Sequence, residues 1–519
     1  MVTLRMIFPS GGPVRRAVAL AALCLSILVV GLDATILNVA LPTIAGSLHA
    51  STAELQWIVD AYVLALAAGM LPAGAAGDRY GRKRLLLAGL VVFGISSVWS
   101  AAADSPAELI AARAVMGVGA AIVMPLVMAF VPVLFGERER PRAIAVMTAA
   151  MGAGLPLGPI AGGYLLEHYT WGAVFLVNVP VIGLALPVAA LLLPESRNPR
   201  PPRLDLVGAV TGTTGLVGVV YGTVQAPVAG WDDPEVLATL GGGLLLLAGF
   251  GWWIRRARDP LVSPALFADQ GFTWATVATV TVQFALYGVL FVTPLYLQAV
   301  HGHDPLGTGL RLTPLLAALF VGAPLSQVLD RRTGTKVTVA LGLALLAGGL
   351  GLLARVDATS GYGEVAAALA GIGLGLGVAM APAMDAVVGG LPDQHTGVGA
   401  AVNNALRQVG GAFGVAVLGS LLSEVYASRL DPALQGMPAP LAGAARESVT
   451  AALAVAGQLG PAGGTALRAA AAQAFTDALS AVALTCALVA VAGVLLTLRF
   501  LRRRPAPAPA PAEPAGARG

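Results

Sequence analysis

Residues 77–87 read GDRYGRKRLLL, and residues 329–339 read LDRRTGTKVTV. Each stretch places Asp-Arg at the end of one apolar run, turns on a glycine, adds a basic residue and enters the next apolar run. Two such loops at matching places point to a chain built from two similar halves. The composition around them fixes the solvent. Of 519 residues, 57% are hydrophobic and only 11% charged, less than half of the ~25% charge carried by a soluble domain. Most of this chain cannot face water, and its apolar runs mostly exceed ~18 residues, the length that crosses a bilayer as a helix.

Fourteen runs are long enough, at 17–41, 54–76, 85–103, 107–134, 143–166, 172–193, 204–225, 235–254, 272–299, 306–328, 337–354, 364–389, 397–422 and 471–500. The expected fold is an all-α membrane protein with fourteen transmembrane helices. An even count returns both termini to one side, and the basic residues agree. Clusters at 5–16, 79–84, 138–142, 197–203, 255–258, 331–336 and 499–518 fall on that side, against Arg311, Arg355, Arg429, Arg446 and Arg468 on the other. Lys and Arg mark cytoplasmic loops, so both termini are expected inside; a missed helix would have scrambled the alternation. The first run is too long for a cleaved signal peptide.

The paired loops set the halves at 1–200 and 263–500, six spans each, with the two spans of 201–262 as an insert. The Ala-rich stretch 423–470 is the longest loop, expected outside. The tail 501–519 is Arg-rich and then Pro-Ala, which suits a basic interfacial anchor followed by a disordered end. Internal repeats of this kind mark secondary transporters, with the substrate site between the halves.

Other classes find little support. Cys24 and Cys486 both fall inside apolar runs, so neither a disulfide framework nor a metal site can be read from them. No nucleophile–base pair, phosphate loop or zinc spacing is present, and neither enzyme activity, cofactor nor metal is expected. GIGLGLG (371–377) lies in an apolar run with no strand before it, and is a packing segment rather than a dinucleotide loop. The net charge of +4 comes from helix ends and does not indicate nucleic acid. Without an ATP site, transport must draw on an ion gradient. Roughly 2.3 kcal/mol per charge per 100 mV supports a roughly fifty-fold gradient per proton, at ~1.4 kcal/mol per tenfold.

Seven motifs in order then carry a resemblance. LDATILNVALP (32–42), GAAGDRYGRKR (74–84), LIAARAVMGVGAA (109–121), GLPLGPIAGG (154–163), WGAVFLVNVP (171–180), PLYLQAVHG (294–302) and NNALRQVGGAFG (403–414) are similar to the signatures of the major facilitator superfamily, in its fourteen-helix drug:proton antiporter branch. GLPLGPIAGG fits the antiporter pattern fully at Gly154, Gly158, Pro159, Gly162 and Gly163. Met116 departs from the usual Gln, Ala76 and Gly77 from a usual Leu and small residue, and Gly172 and Ala173 from an expected Arg and Trp. The resemblance covers nearly the whole chain. It implies two six-helix bundles working by alternating access, protons and a small drug-like molecule as partners, and a role for Arg113 in proton transfer.

Asp33 lies in the first span, where a carboxylate costs ~2.5–3.5 kcal/mol, so it should face protein or a water-filled cavity. Desolvation favours the protonated acid, which suits Asp33 to bind and release a proton; the plainer alternative is a helix-packing hydrogen bond. Asn38 lies about 140° further round the helix, off Asp33's face, and reads as a packing or gating group. Arg113 in span four needs an acceptor. It is a proton-transfer residue or a helix-stapling ion pair, with Asp33 as a possible partner. Asp78, Arg79, Gly81, Arg82 and Lys83 read as an inner gate of salt bridges and helix ends, the plainer alternative being topology signalling by positive charge, and Asp330 and Arg331 as its weaker second copy. In 154–163, glycines allow close helix contact, and Pro156 and Pro159 bend the helix.

Asp60 and Asp385 are further candidate carboxylates, and Asn38, Gln283, Tyr287, Gln298, Asn403 and Arg407 candidate cavity groups. The expected function is proton-coupled export of amphipathic or cationic organic compounds. The alternative is dedicated export of one self-made antibiotic or metabolite. Only Lys83 and Lys336 are lysines, and that Arg bias, with the Ala and Gly richness, suggests a high-GC bacterium. The expected location is its cytoplasmic membrane, with the chain a monomer.

Overall fold

In hydrocarbon every backbone N–H and C=O must pair within its own segment, so apolar runs without strand periodicity form helices. The computed structural model of the chain describes residues 13–136, 139–197, 205–389, 391 and 393–501. The basic residues Arg5, Arg138, Arg200 and Arg203, the tail 502–519, and the side chains of Arg142 and Pro156 lie outside the described residues. The long helices in chain order are α1 (Pro13–Leu48), α2 (Thr52–Tyr80), α3 (Arg82–Ala101), α4 (Pro106–Leu134), α5 (Arg140–His168), α6 (Ala173–Leu192) and α7 (Leu206–Ala229). They continue with α8 (Pro234–Trp253), α9 (Gln270–Val300), α10 (Pro305–Thr333), α11 (Thr335–Leu353), α12 (Tyr362–Gly389), α13 (Asp393–Leu430) and α14 (Pro461–Phe500). Thirteen helices are long and apolar enough to cross a membrane among the described residues, and α5, at 29 residues, occupies the fifth position.

Short polar side chains mark where many of these helices begin. Ser51 and Glu54 form a capping box on α2, Ser105 caps α4, and Asp205, Asp233, Asp269 and Asp304 cap α7 to α10.

Helices α1–α6 form one bundle, with α1 packed on α5 and α6, and α4 between α2 and α3. Helices α9–α14 form the second, with α12 packed on α10 and α11, and α13 on α9 and α14. The insert α7–α8 pairs with itself and lays α7 against α2 and α13. Ser420 donates to the Thr223 carbonyl at 2.8 Å, and the Trp57 and Tyr221 rings lie 5.8 Å apart. Its outer helix α8 shows Leu244 and Leu245 to the surroundings, 58% and 75% exposed, as a lipid-facing helix should.

The stretch 423–470, expected as a loop, is largely helical. Helix α13 continues to Leu430; a 3-10 turn, Asp431–Leu434, and two short helices, Ala439–Glu447 and Val449–Gln458, lead into α14. Ala is the strongest helix former, and Ser448 caps the second short helix through the Ala451 amide at 3.1 Å. Short helices carry no long apolar run, so hydropathy does not register them.

We call the membrane face at which α1 begins and α14 ends the terminal face and the opposite one the distal face. The two bundles meet along α2–α13, α5–α10 and α1–α9. Their bonds lie mainly at the distal ends: Thr52 donates to the Glu447 carbonyl at 2.9 Å, Gln56 to those of Val415 and Ala416 at 3.4 Å, and Gln298 to that of Val39 at 2.9 Å.

Candidate functional site

Asp33 and Arg113 meet at the centre of the first bundle. Arg113 Nη1 stands 2.6 Å from Asp33 Oδ2, with the side chains 2% and 0% exposed. Arg113 Nε donates to the Ile58 carbonyl at 3.1 Å, and its guanidinium lies 4.2 Å over the Tyr62 ring and 5.9 Å from that of Phe175. Asn178 donates to the other Asp33 oxygen and to Ser97 Oγ, each at 3.3 Å. One carboxylate thus ties together α1, α3, α4 and α6, and Arg113 adds α2. Met116 stands where the antiporter pattern has Gln, and its sulfur accepts from Arg113 at 3.2 Å; a thioether is a weak acceptor. Asn38 turns back on its own helix, donating to the Ala34 and Thr35 carbonyls at 3.2 and 3.4 Å.

Sequence reasoning passed over Asn178 and Tyr62. Asn178 was in view inside WGAVFLVNVP, a polar side chain in an apolar run, which is the signal that marked Asp33. Tyr62 carried no such signal. Its hydroxyl is buried with no hydrogen-bond partner among the described residues.

Helix α5 packs through its glycines on two sides. A Cβ on Gly154, Gly158 or Gly162 would run into Gly31, Thr35 or Ile36 of α1. On the other side a Cβ on Gly163 would come within 2.6 Å of Leu306 Cα, and one on Gly309 would strike the Pro159 carbonyl. The antiporter motif therefore touches its own bundle through α1 and the opposite bundle through α10. Thr35 adds a hydrogen bond to the Gly154 carbonyl at 3.0 Å.

The terminal-face loop closes on itself. Asp78 accepts from Arg82 Nε at 2.9 Å and pairs with Nη2 at 2.8 Å, and Arg82 also reaches the Ala129 carbonyl at 3.3 Å. Gly81 has φ +118°, which a side chain would strain. Glu195, another residue the sequence left unmarked, accepts from the Lys83 amide at 3.1 Å and faces Arg84 at 3.6 Å. Arg79 lies 5.8 Å over the Tyr80 ring. Among the described residues these bonds stay within the first bundle. The second copy keeps the turn, Gly334 at φ +80°, but among the described residues it lacks the pair: Asp330 Oδ1 is buried without a partner there and Arg331 is exposed.

The second bundle gathers a different polar set. Arg407 Nη2 donates to Gln283 Oε1 at 3.0 Å, beside Tyr287, which packs on Gly411. Asn403 accepts from Thr279 at 2.8 Å, and Asn404 reaches across to the sulfurs of Met70 and Met124 at 3.6 and 3.8 Å. Gln298 stands apart, at the distal contact with Val39. Asp385 is exposed on α12. Asp60 is fully buried on α2, and neither of its oxygens has a hydrogen-bond partner among the described residues.

The sequence profile of the Major Facilitator Superfamily matches residues 23–415. The chain belongs to this superfamily. It is accordingly a multi-pass membrane transporter rather than an enzyme. It is 35% identical over 406 residues to the tetracenomycin C resistance and export protein of Streptomyces glaucescens, covering 78% of this chain and 75% of that one. It is 33% identical over 482 residues to the multidrug efflux pump LfrA of Mycolicibacterium smegmatis, covering 92% and 95%. The fold matches a bacterial homologue of the human lysosomal transporter Spinster, solved inward-facing and occupied, with TM-score 0.68 and 17% identity over 94% of this chain and 98% of that one.

Proposed function

We propose that the chain exports amphipathic or cationic drug-like compounds in exchange for protons, by alternating access of its two bundles. The Asp33–Arg113 pair carries this reading. Protonation of Asp33 removes the negative partner of a buried guanidinium and leaves it the Ile58 carbonyl, the Met116 sulfur and two aromatic faces. Breaking one side of a buried pair costs ~3–5 kcal/mol, enough to change which packing of α1, α2, α4 and α6 is favoured. A proton on one atom is thereby linked to the arrangement of a bundle. Asp60, buried on α2 near the contact with α13, is a second proton site: separating the bundles at the distal face brings it to water.

The location that fits is a bacterial cytoplasmic membrane, with the terminal face inside and the protein a monomer. Arg15, Arg16, the 79–84 loop, Arg255, Arg256, Arg331 and Arg499 gather at that face, as the inside of a membrane requires. Distal closure then makes this the arrangement that accepts a compound from the cytoplasm. The Asp78–Arg82 pair steadies the inner end of the first bundle between its states.

A second reading is dedicated export of one antibiotic or metabolite, favoured by the identity to the tetracenomycin C export protein. Growth of a pump-deleted host against a compound panel separates the two, since resistance to a single compound supports dedication. Coupling is tested with ethidium transport in everted vesicles. Asp33→Asn should reach the membrane yet drop to the uncoupled background, and full uncoupler-sensitive export by that variant would sink the assignment.

A further inference from the structure

Arg407 differs from Arg113, the other arginine set within a membrane-spanning helix, in what surrounds it. It sits on α13 three residues after Asn404, which reaches Met70 and Met124 of the first bundle, so the two share the face turned to the opposite half. Its guanidinium has one good acceptor, Gln283 Oε1 at 3.0 Å, and one poor one, the Met384 sulfur at 3.9 Å. Its Nε is buried with no acceptor, and no carboxylate lies within 4.0 Å of it among the described residues. An arginine does not lose its proton in a protein, and an unpaired charge at this depth is expensive. Two neighbours add donors that lack a good acceptor. Asn404 Nδ2 finds only two thioethers, at 3.6 and 3.8 Å, and the buried Tyr62 hydroxyl, near Tyr287, has no partner among the described residues. This part of the interface is short of one negative charge and of several good acceptors. Met70, Met124 and Met384 surround it with adaptable apolar surface.

We infer that Arg407, with Gln283 and Asn404, forms a subsite for an anionic oxygen group, a carboxylate, phenolate or enolate, on the transported compound. This rests on the export reading above and extends its substrates from cations to organic acids and zwitterions. A guanidinium already fixed by Gln283 presents its remaining N–H groups to such an oxygen in a charge-assisted hydrogen bond. The three methionines take the apolar body of the same molecule.

The test compares two probes, fluorescein as an acid and ethidium as a permanent cation, binding to the purified full chain. Measurement in phosphatidylcholine nanodiscs removes anionic headgroups as a competing source of the same chemistry. The wild type should bind fluorescein, and Arg407→Gln should lower the ratio of fluorescein to ethidium affinity at least tenfold, with Arg407→Lys restoring part of it. If Arg407→Gln does not fold, Asn404→Leu carries the same expected fall in the ratio. An unchanged ratio, an equal loss for both probes, or a wild type blind to fluorescein overturns the subsite. Uncoupler-sensitive ethidium transport is followed separately in proteoliposomes. Its absence in the wild type defeats proton-driven export while the binding ratio still decides the subsite.

Discussion

Each bundle holds an arginine within a membrane-spanning helix, Arg113 fully buried and Arg407 partly so, and the two are paired differently. Arg113 is given a full carboxylate at 2.6 Å, a carbonyl, a sulfur and the face of a tyrosine. Arg407 is given an amide oxygen and a distant thioether. The first site is electrically closed, so what moves it is a change in its own charge. The second is electrically open, so what moves it is something that arrives. On the proposed reading, proton and compound act on opposite bundles and still meet at one interface, which is what exchange between them requires.

The sharpest way to break this contrast is to neutralise the closed site. Asp33→Asn leaves a buried guanidinium unmatched, and should lose ~3–5 kcal/mol of stability together with proton-driven ethidium transport. Adding Arg113→Met removes the unmatched charge, so thermal unfolding should recover much of the loss while vesicle transport stays at background. Recovery of transport by the double variant would mean that the pair only staples helices. Next in size is the contact between bundles. Gly163→Val drives a side chain into the α10 backbone at Leu306, so distal closure should fail. Labelling of a cysteine placed at Gln56 should rise severalfold, and export should fall at least tenfold.

A smaller effect separates the two terminal-face loops. Asp78→Asn removes the 2.8 Å pair with Arg82 and should slow transport severalfold. Asp330→Asn removes no ion pair and should change the rate less than twofold. Equal effects would show that the backbone turn, not the pair, matters. The smallest concerns His301 and His303, stacked 5.8 Å apart at the distal face. Burial, and then the charge of Arg311, hold both imidazoles below their usual range. The unfolded chain therefore takes up protons first. The stability contributed by the neutral rings is whole above ~6.5 and declines as pH falls through that value toward the folded pKa. Melting temperature from pH 7.5 to 5 should fall less steeply in His303→Asn.

The spans and the two deeply placed charges were legible in the sequence because lipid makes charge costly and helix length obligatory; whether those charges pair was left open until the 2.6 Å contact. Asp33 and Arg113 stand out against apolar neighbours, and the angle between Asp33 and Asn38 foretold that they would not share a face. The rest was hidden for physical reasons. Glu195 lies in a polar loop where one more carboxylate carries no signal. Tyr62 is aromatic in a run of apolar residues, and only the geometry reveals its ring beneath Arg113. The 423–470 segment folds through helices too short to register as spans, held by local bonds such as Tyr426 to the Ala445 carbonyl at 3.1 Å. Asp330 matched the first loop in letters but has no pairing cation among the described residues.

Helix α5 faces α1 with Gly154, Gly158 and Gly162, and α10 with Pro159 and Gly163. Two of its sides are thus closed to any added atom, and among the described side chains the stripe bearing Leu157 and Tyr164, 46% and 51% exposed, is open. The freedom of this segment to change is directional. Saturation mutagenesis should return tolerated residues as a single helical ribbon, and a library confined to that ribbon would retune contact with lipid while leaving the bearing surfaces intact.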